Sequence, residues 1–115
     1  MRYEGGCHCG KVRYAVTTDL QPVISCNCSI CAKKGHLLTF ASADQFELIA
    51  GEDQLTDYQF NRNIVHHLFC KVCGVQPHAF GTGPDGKEMA AVNLRCVPAA
   101  DLDALNIQKV DGASF

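Results

Sequence analysis

No stretch of this chain is apolar for long enough to span a membrane, and its opening segment, Met1 to Gly6, lacks the apolar run of a secretory signal. Neither a membrane partner nor export is expected, and a reducing cytoplasm is the expected compartment. An excess of basic charge is also missing. Ten Lys and Arg face twelve Asp and Glu, for a formal net charge of −2 and a pI near 6.2. The chain therefore carries no basic stripe of the kind that nucleic acid requires. Internal repeats, low-complexity tracts and linkers are absent as well, so the 115 residues read as a single domain, 1–115, with a modest core. Helical periodicity is scarce, which leaves short alternating and β-branched runs as the main signal and a mainly β fold as the expectation.

Those runs predict strands at Val12 to Val16, Val23 to Cys26, Leu37 to Ala41, Phe46 to Ile49, Thr56 to Phe60, Ile64 to Phe69, His78 to Gly81 and Met89 to Arg95. Gly83-Pro84-Asp85-Gly86 reads as a hairpin turn, because Gly and Asp tolerate the backbone angles of tight turns. One short helix is expected after Pro98, over Ala99 to Leu105, since proline suits a first helical turn. The tail from Asn106 returns to a strand-like run and reaches a second turn signal, Asp111-Gly112.

Cysteine is what the chain does have. Seven of its eight cysteines lie in three clusters: Cys7-His8-Cys9-Gly10, Cys26-Asn27-Cys28-Ser29-Ile30-Cys31 and Cys70-Lys71-Val72-Cys73-Gly74. Thiols one or two residues apart are poorly placed to bond to each other, because a disulfide needs particular Cα separations and Cβ directions. A disulfide framework also belongs to small secreted chains. Metal binding is the better reading. In Cys70-x-x-Cys73-Gly74 the backbone can loop around a metal, with the glycine supplying the positive φ of such a knuckle. Cys7 and Cys9, two apart on an extended segment, would face the same way and share an ion, with Gly10 turning the chain aside. The two pairs together complete a four-thiolate structural zinc site that closes a loop of about sixty residues. Iron also suits four thiolates.

The inner cluster supplies only three ligands, Cys26, Cys28 and Cys31, and leaves a fourth position for substrate. The remaining cysteine, Cys96, is expected as a small buried hydrophobe. Three thiolates make zinc a weak Lewis acid, poorly suited to generating hydroxide. Such a site is better suited to holding an incoming thiol in its thiolate form and presenting it to an electrophile, which is carbon–sulfur chemistry. Seven thiolates around two zinc ions would carry the formal charge to about −5, and Lys33, Lys34 and Lys71 lie beside the clusters to offset part of it.

The four segments Cys7-His8-Cys9-Gly10-Lys11-Val12-Arg13-Tyr14, Ser25-Cys26-Asn27-Cys28-Ser29-Ile30-Cys31, Phe69-Cys70-Lys71-Val72-Cys73-Gly74 and Val92-Asn93-Leu94-Arg95-Cys96, in that order, resemble the family of glutathione-dependent formaldehyde-activating enzymes and centromere protein V. The resemblance implies a zinc-stabilised β-tent of short antiparallel strands with at most one or two short helices. It implies two Zn2+ sites: a structural one on Cys7, Cys9, Cys70 and Cys73, and a catalytic one on Cys26, Cys28 and Cys31. It also implies a lyase-type activity like that of S-(hydroxymethyl)glutathione synthase, with a small thiol such as glutathione and a small aldehyde such as formaldehyde as partners. Two other readings stay open: a non-catalytic zinc module for protein interaction, and a thiol redox or metal-buffering protein.

Five histidines complete the candidate set. His8 lies between two ligands and should point away from them; His66 and His67 are adjacent on a strand, so at most one can face a site. His36 and His78 follow the clusters and are the candidate site neighbours, an exposed or core-satisfied histidine being the commoner case. Arg62 and Arg95 have the planar fork that suits a carboxylate, although surface ion pairs are an alternative use.

Overall fold

The computed structural model describes residues 1–59, 65–82 and 86–111. The fold is mainly β. Strands β1 (Arg2–Gly6), β2 (Arg13–Thr17) and β5 (Phe46–Ala50) form a three-stranded sheet in the order β1-β2-β5. A seven-stranded sheet contains β3 (Val23–Cys26), β4 (Leu38–Ser42), β6 (Leu55–Tyr58), β7 (His66–Cys70), β8 (His78–Thr82), β9 (Glu88–Asn93) and β10 (Ile107–Val110). Its order is β10-β3-β4-β9-β8-β7-β6. All pairings are antiparallel except that of β10 with β3.

Register assigns the faces. Directly opposed residues in an antiparallel ladder share a face. One rung runs Ala41, Ala90, Phe80, His66 and the neighbouring rung runs Phe40, Ala91, Ala79, His67, Tyr58. The small sheet covers the first of these faces. Ala41 and Val92 join Tyr14, Val16, Val23 and Leu94 in the core, and Phe46 of β5 stacks at 5.2 Å from Phe80. Tyr14 is fully buried. Its hydroxyl donates to the carbonyl of Pro77 at 3.2 Å, which satisfies a polar tip in an apolar core and ties the two sheets together. The second face is only partly open: Phe40 is 37% and Tyr58 50% exposed, whereas Ala79 and His67 between them are buried.

Each strand expected over described residues is present, with ends shifted by a residue or two, and β10 occupies the strand-like tail. Four differences have local causes. β1 is a further strand, whose Glu4-Gly5-Gly6 carries no alternating pattern. β9 stops at Asn93, where the side-chain oxygen accepts from the Arg95 N–H at 3.1 Å and opens a 3-10 turn over Leu94–Cys96. The helix expected over Ala99 to Leu105 is replaced by a 3-10 turn at Leu102–Ala104, because the Asp101 side chain takes the Asp103 N–H and competes with helical bonding. The α-helix lies instead within the inner cysteine cluster: α1 (Ser29–Lys34), closed by Gly35 with φ 66° and by a Gly35 N–H bond to the Cys31 carbonyl. The turn signals at Gly83 to Gly86 and Asp111-Gly112, and Arg62, fall wholly or partly outside the described residues.

Candidate metal centres

Seven thiols gather into the two groups that their spacing separates. The sulfur atoms of Cys7, Cys9, Cys70 and Cys73 lie within 4.8 Å of one another, and so do those of Cys26, Cys28 and Cys31. In the first group Cys7 Sγ is 3.5 Å from Cys9 Sγ, which is 3.6 Å from Cys70 Sγ. Thiolates on a tetrahedral zinc, with Zn–S near 2.3 Å, stand about 3.8 Å apart. The quartet therefore fits that ion.

Local backbone builds the quartet. Cys7 leaves the end of β1 and, contrary to the extended geometry expected, Cys7 to Gly10 form a turn in which the Gly10 N–H reaches the Cys7 carbonyl at 3.3 Å. The thiols converge because the chain folds back, with Gly10 at φ 83°. On the opposite side Cys70 ends β7, Gly74 N–H bonds the Cys70 carbonyl at 2.8 Å, and Gly74 adopts φ 80°, as the knuckle requires. Backbone N–H groups already point at the sulfurs: Val12 to Cys7 Sγ at 3.3 Å and Val72 to Cys70 Sγ at 3.4 Å. Cys73 is held down to about 6 by hydrogen bonding to the Val75 and Cys9 backbone, and Cys70 is lowered by the backbone of Cys73. These are conditions for thiolate ligands. Because Cys7 and Cys9 follow the small sheet while Cys70 and Cys73 follow β7, the quartet pins one sheet to the other.

The inner trio is built differently. Cys26 ends β3, Cys28 is the N-cap of α1, and Cys31 is the buried residue of that helix. Burial raises the Cys28 thiol, but the backbone of Cys31 and the thiols of Cys31 and Cys26 outweigh it and the net shift is downward. Cys31 moves up, through burial first and then its neighbours Cys28 and Cys26. Cys28 thus gives up its proton more readily than Cys31.

His36 and His78, the two candidate neighbours, part company. His36 is buried with Nε2 3.1 Å from Cys31 Sγ, and burial, Lys34 and His67 hold it down to about 4. His78 sits in the core against Phe46 at 4.8 Å and Phe80 at 5.3 Å, held down to about 4 by burial. It belongs to packing rather than to either thiol group. His67 faces the partly open side, near enough to His36 to perturb it, while His66 faces the other way and its Nδ1 meets Asp57 Oδ2 at 2.7 Å. His8 is exposed. Lys34, lying 5.6 Å above the Phe69 ring, hydrogen-bonds Gln76; burial lowers it, and the nearby Cys31 thiol opposes that shift in part. Arg95 makes no ion pair among the described residues; its Nε donates to the Gly35 carbonyl at 3.0 Å. Cys96 joins neither group: its thiol points to the Gln76 carbonyl and burial pushes it up to about 11. Gln76 is the neighbour that spacing could not indicate, since no motif marks it and β-sheet pairing alone brings it near.

The family model for the glutathione-dependent formaldehyde-activating enzyme matches residues 2–107. The chain belongs to that family. Its fold is also similar to a crystal structure of a Rhodobacter sphaeroides protein, with a TM-score of 0.82 and 26% identity over 93% of this chain and 99% of that one. The family is named for glutathione-dependent activation of formaldehyde, and both cysteine groups are compatible with zinc. Among the described residues no helix is long and apolar enough to cross a membrane.

Proposed function

We propose that this chain is a single-domain, cytoplasmic zinc enzyme of carbon–sulfur chemistry, in which Cys7, Cys9, Cys70 and Cys73 hold a structural ion and Cys26, Cys28 and Cys31 form the reactive site. The observation that carries the reading is the trio itself: three sulfurs within 4.8 Å of one another, at the edge of a partly open sheet face, with no fourth cysteine beside them among the described residues. Zinc held there would supply an open position in which a thiol such as glutathione loses its proton and becomes a nucleophile. The remaining roles belong to the chain. Cys28 at the N-cap of α1 fixes the ligand set against β3. His36 is buried, and its Nε2 lies 3.1 Å from Cys31 Sγ, where it can donate to a ligand thiolate. Such a bond holds a ligand sulfur in place and withdraws part of its charge. Lys34 offsets thiolate charge on the side of Phe69.

The reaction balances without a redox partner. A C–S bond forms as the carbonyl π bond breaks, and the thiol proton ends on the new hydroxyl oxygen. Since His36 is engaged with Cys31, solvent is the proton source. Incubating zinc-loaded protein with glutathione and 13C-formaldehyde tests this, read as exchange between free aldehyde and S-hydroxymethyl adduct by NMR. Faster exchange than in buffer, abolished in Cys28→Ser, is the expected result; exchange at the buffer rate would overturn it. The contact of His36 with Cys31 favours a second reading, a closed three-cysteine, one-histidine zinc module without chemistry. That reading predicts no added thiol at the metal.

A further inference from the structure

The partly open face carries more than the thiol trio. A cavity of about 550 Å3 lies at the end of this face, walled by Pro22, Phe40, Val65, Met89 and Ala91 and, from the other face of β8, by Phe80 and Thr82. None of the described residues that line it is charged, and Thr82 is the one polar side chain among them. Phe40 is 37% and Val65 41% exposed, so bulky apolar groups surround an accessible hollow. Its place in the ladder joins it to the reactive site. Phe40 and Ala91 share a rung with Ala79 and His67. Along β3, alternation places Ile24 and Cys26 on one face, Ile24 opposite Leu38, and Pro22 immediately precedes the strand. Four residues apart, Pro22 and Cys26 are separated by at most about 14 Å. One end of this line is a ligand of the trio and the other is the wall of the cavity.

Neither partner named for the family uses such a hollow. Formaldehyde is a single carbon, and glutathione carries carboxylates and an ammonium for which the described lining offers no charged partner. We infer that the cavity holds the apolar tail of the electrophile, so that this chain acts on medium-chain aliphatic aldehydes whose carbonyl reaches Cys26, Cys28 and Cys31 while the alkyl chain lies over Ala91 and Met89. This rests on the carbon–sulfur reading above. The chemistry is the same addition, with an alkyl group in place of a hydrogen on the carbonyl carbon.

Two measurements on the zinc-loaded full chain test it. In the first, methyl groups are followed by NMR as 1-octanol, which has the tail but no carbonyl, is titrated in. Saturable shifts at Met89, Ala91 and Val65, missing with methanol, are expected. In the second, kcat/KM with glutathione is compared for formaldehyde, butanal and octanal. Each methylene should gain about three- to fourfold until the hollow is full, and Ala91→Phe, which fills it, should flatten that series. A flat series in the native protein, or no saturable octanol shift, overturns the proposal, as do shifts of the same methyls with protein concentration alone, which would assign the hollow to a second copy. Octanol binding with no reaction of any aldehyde overturns the carbon–sulfur premise and with it the aldehyde assignment, and locates the failure in the reaction rather than in the cavity.

Discussion

The two cysteine groups use similar residues for different ends. The quartet draws from Cys7 and Cys9 after the small sheet and from Cys70 and Cys73 after β7, so that 61 positions separate Cys9 from the Cys70 it touches. The trio draws all three sulfurs from six residues around one strand end and one helical turn. A site spanning distant segments stabilises the fold through loop closure, whereas a local site adds little to it. A compact set leaves one side uncovered. Sequence separation among ligands thus distinguishes the joint of the fold from its reactive edge.

The largest expected effect breaks this comparison most directly. Structural zinc contributes free energy of the same order as the whole net stability of a small domain. Cys70→Ser should therefore abolish the cooperative thermal transition seen by circular dichroism. Cys28→Ser should keep the transition and lose one of two bound metals by elemental analysis. Equal loss of fold in both would erase the distinction.

Acid asks what else joins the sheets. His78 is neutral in the folded core at a value of about 4 against an ordinary 6.5. The unfolded chain therefore binds the additional proton. Stability from this group is complete above pH 6.5 and falls as pH drops towards 4, by about 3 kcal/mol in all. His78→Phe should remove that share, seen as the difference between the two proteins' denaturation curves across the window. Acid release of metal affects both proteins alike and cancels.

His36→Ala sharpens the contrast at the other site. Losing the partner of Cys31 should weaken inner metal binding by about ten- to hundredfold in competition with a chelator, with the outer ion retained and the thermal transition intact. The smallest effect is expected for Tyr14→Phe. The Pro77 carbonyl keeps a bond from the Asn93 N–H at 3.1 Å after the hydroxyl is gone. The cost should be about 1 kcal/mol by denaturant titration.

Most of the sheet was legible because strands buried on one face alternate, as in β4 and β9. β1 was hidden by its paired glycines, which gain their place only from pairing with β2. The six-residue α1 is too short to show a helical period, although Lys33-Lys34 in its last turn followed by Gly35 is a C-terminal signature in hindsight. Cysteine spacing indicated which thiols converge, since ligands close in sequence must be close in space. Spacing was silent on Gln76 and on the cavity, both products of cross-strand pairing. It also could not separate His36 from His78, because each follows a cluster and only packing shows that one touches Cys31 while the other fills the core.

The central claim is that the quartet is closed and the trio is open to a thiol. Cobalt(II) substituted for zinc reports sulfur ligation through its sulfur-to-metal absorption, which grows with each thiolate bound. Titrating glutathione into the cobalt protein should raise that absorption and saturate at one thiol per chain, and Cys28→Ser should show no rise. An unchanged spectrum in the native protein would mean that the trio is closed by a protein ligand, and would contradict the account.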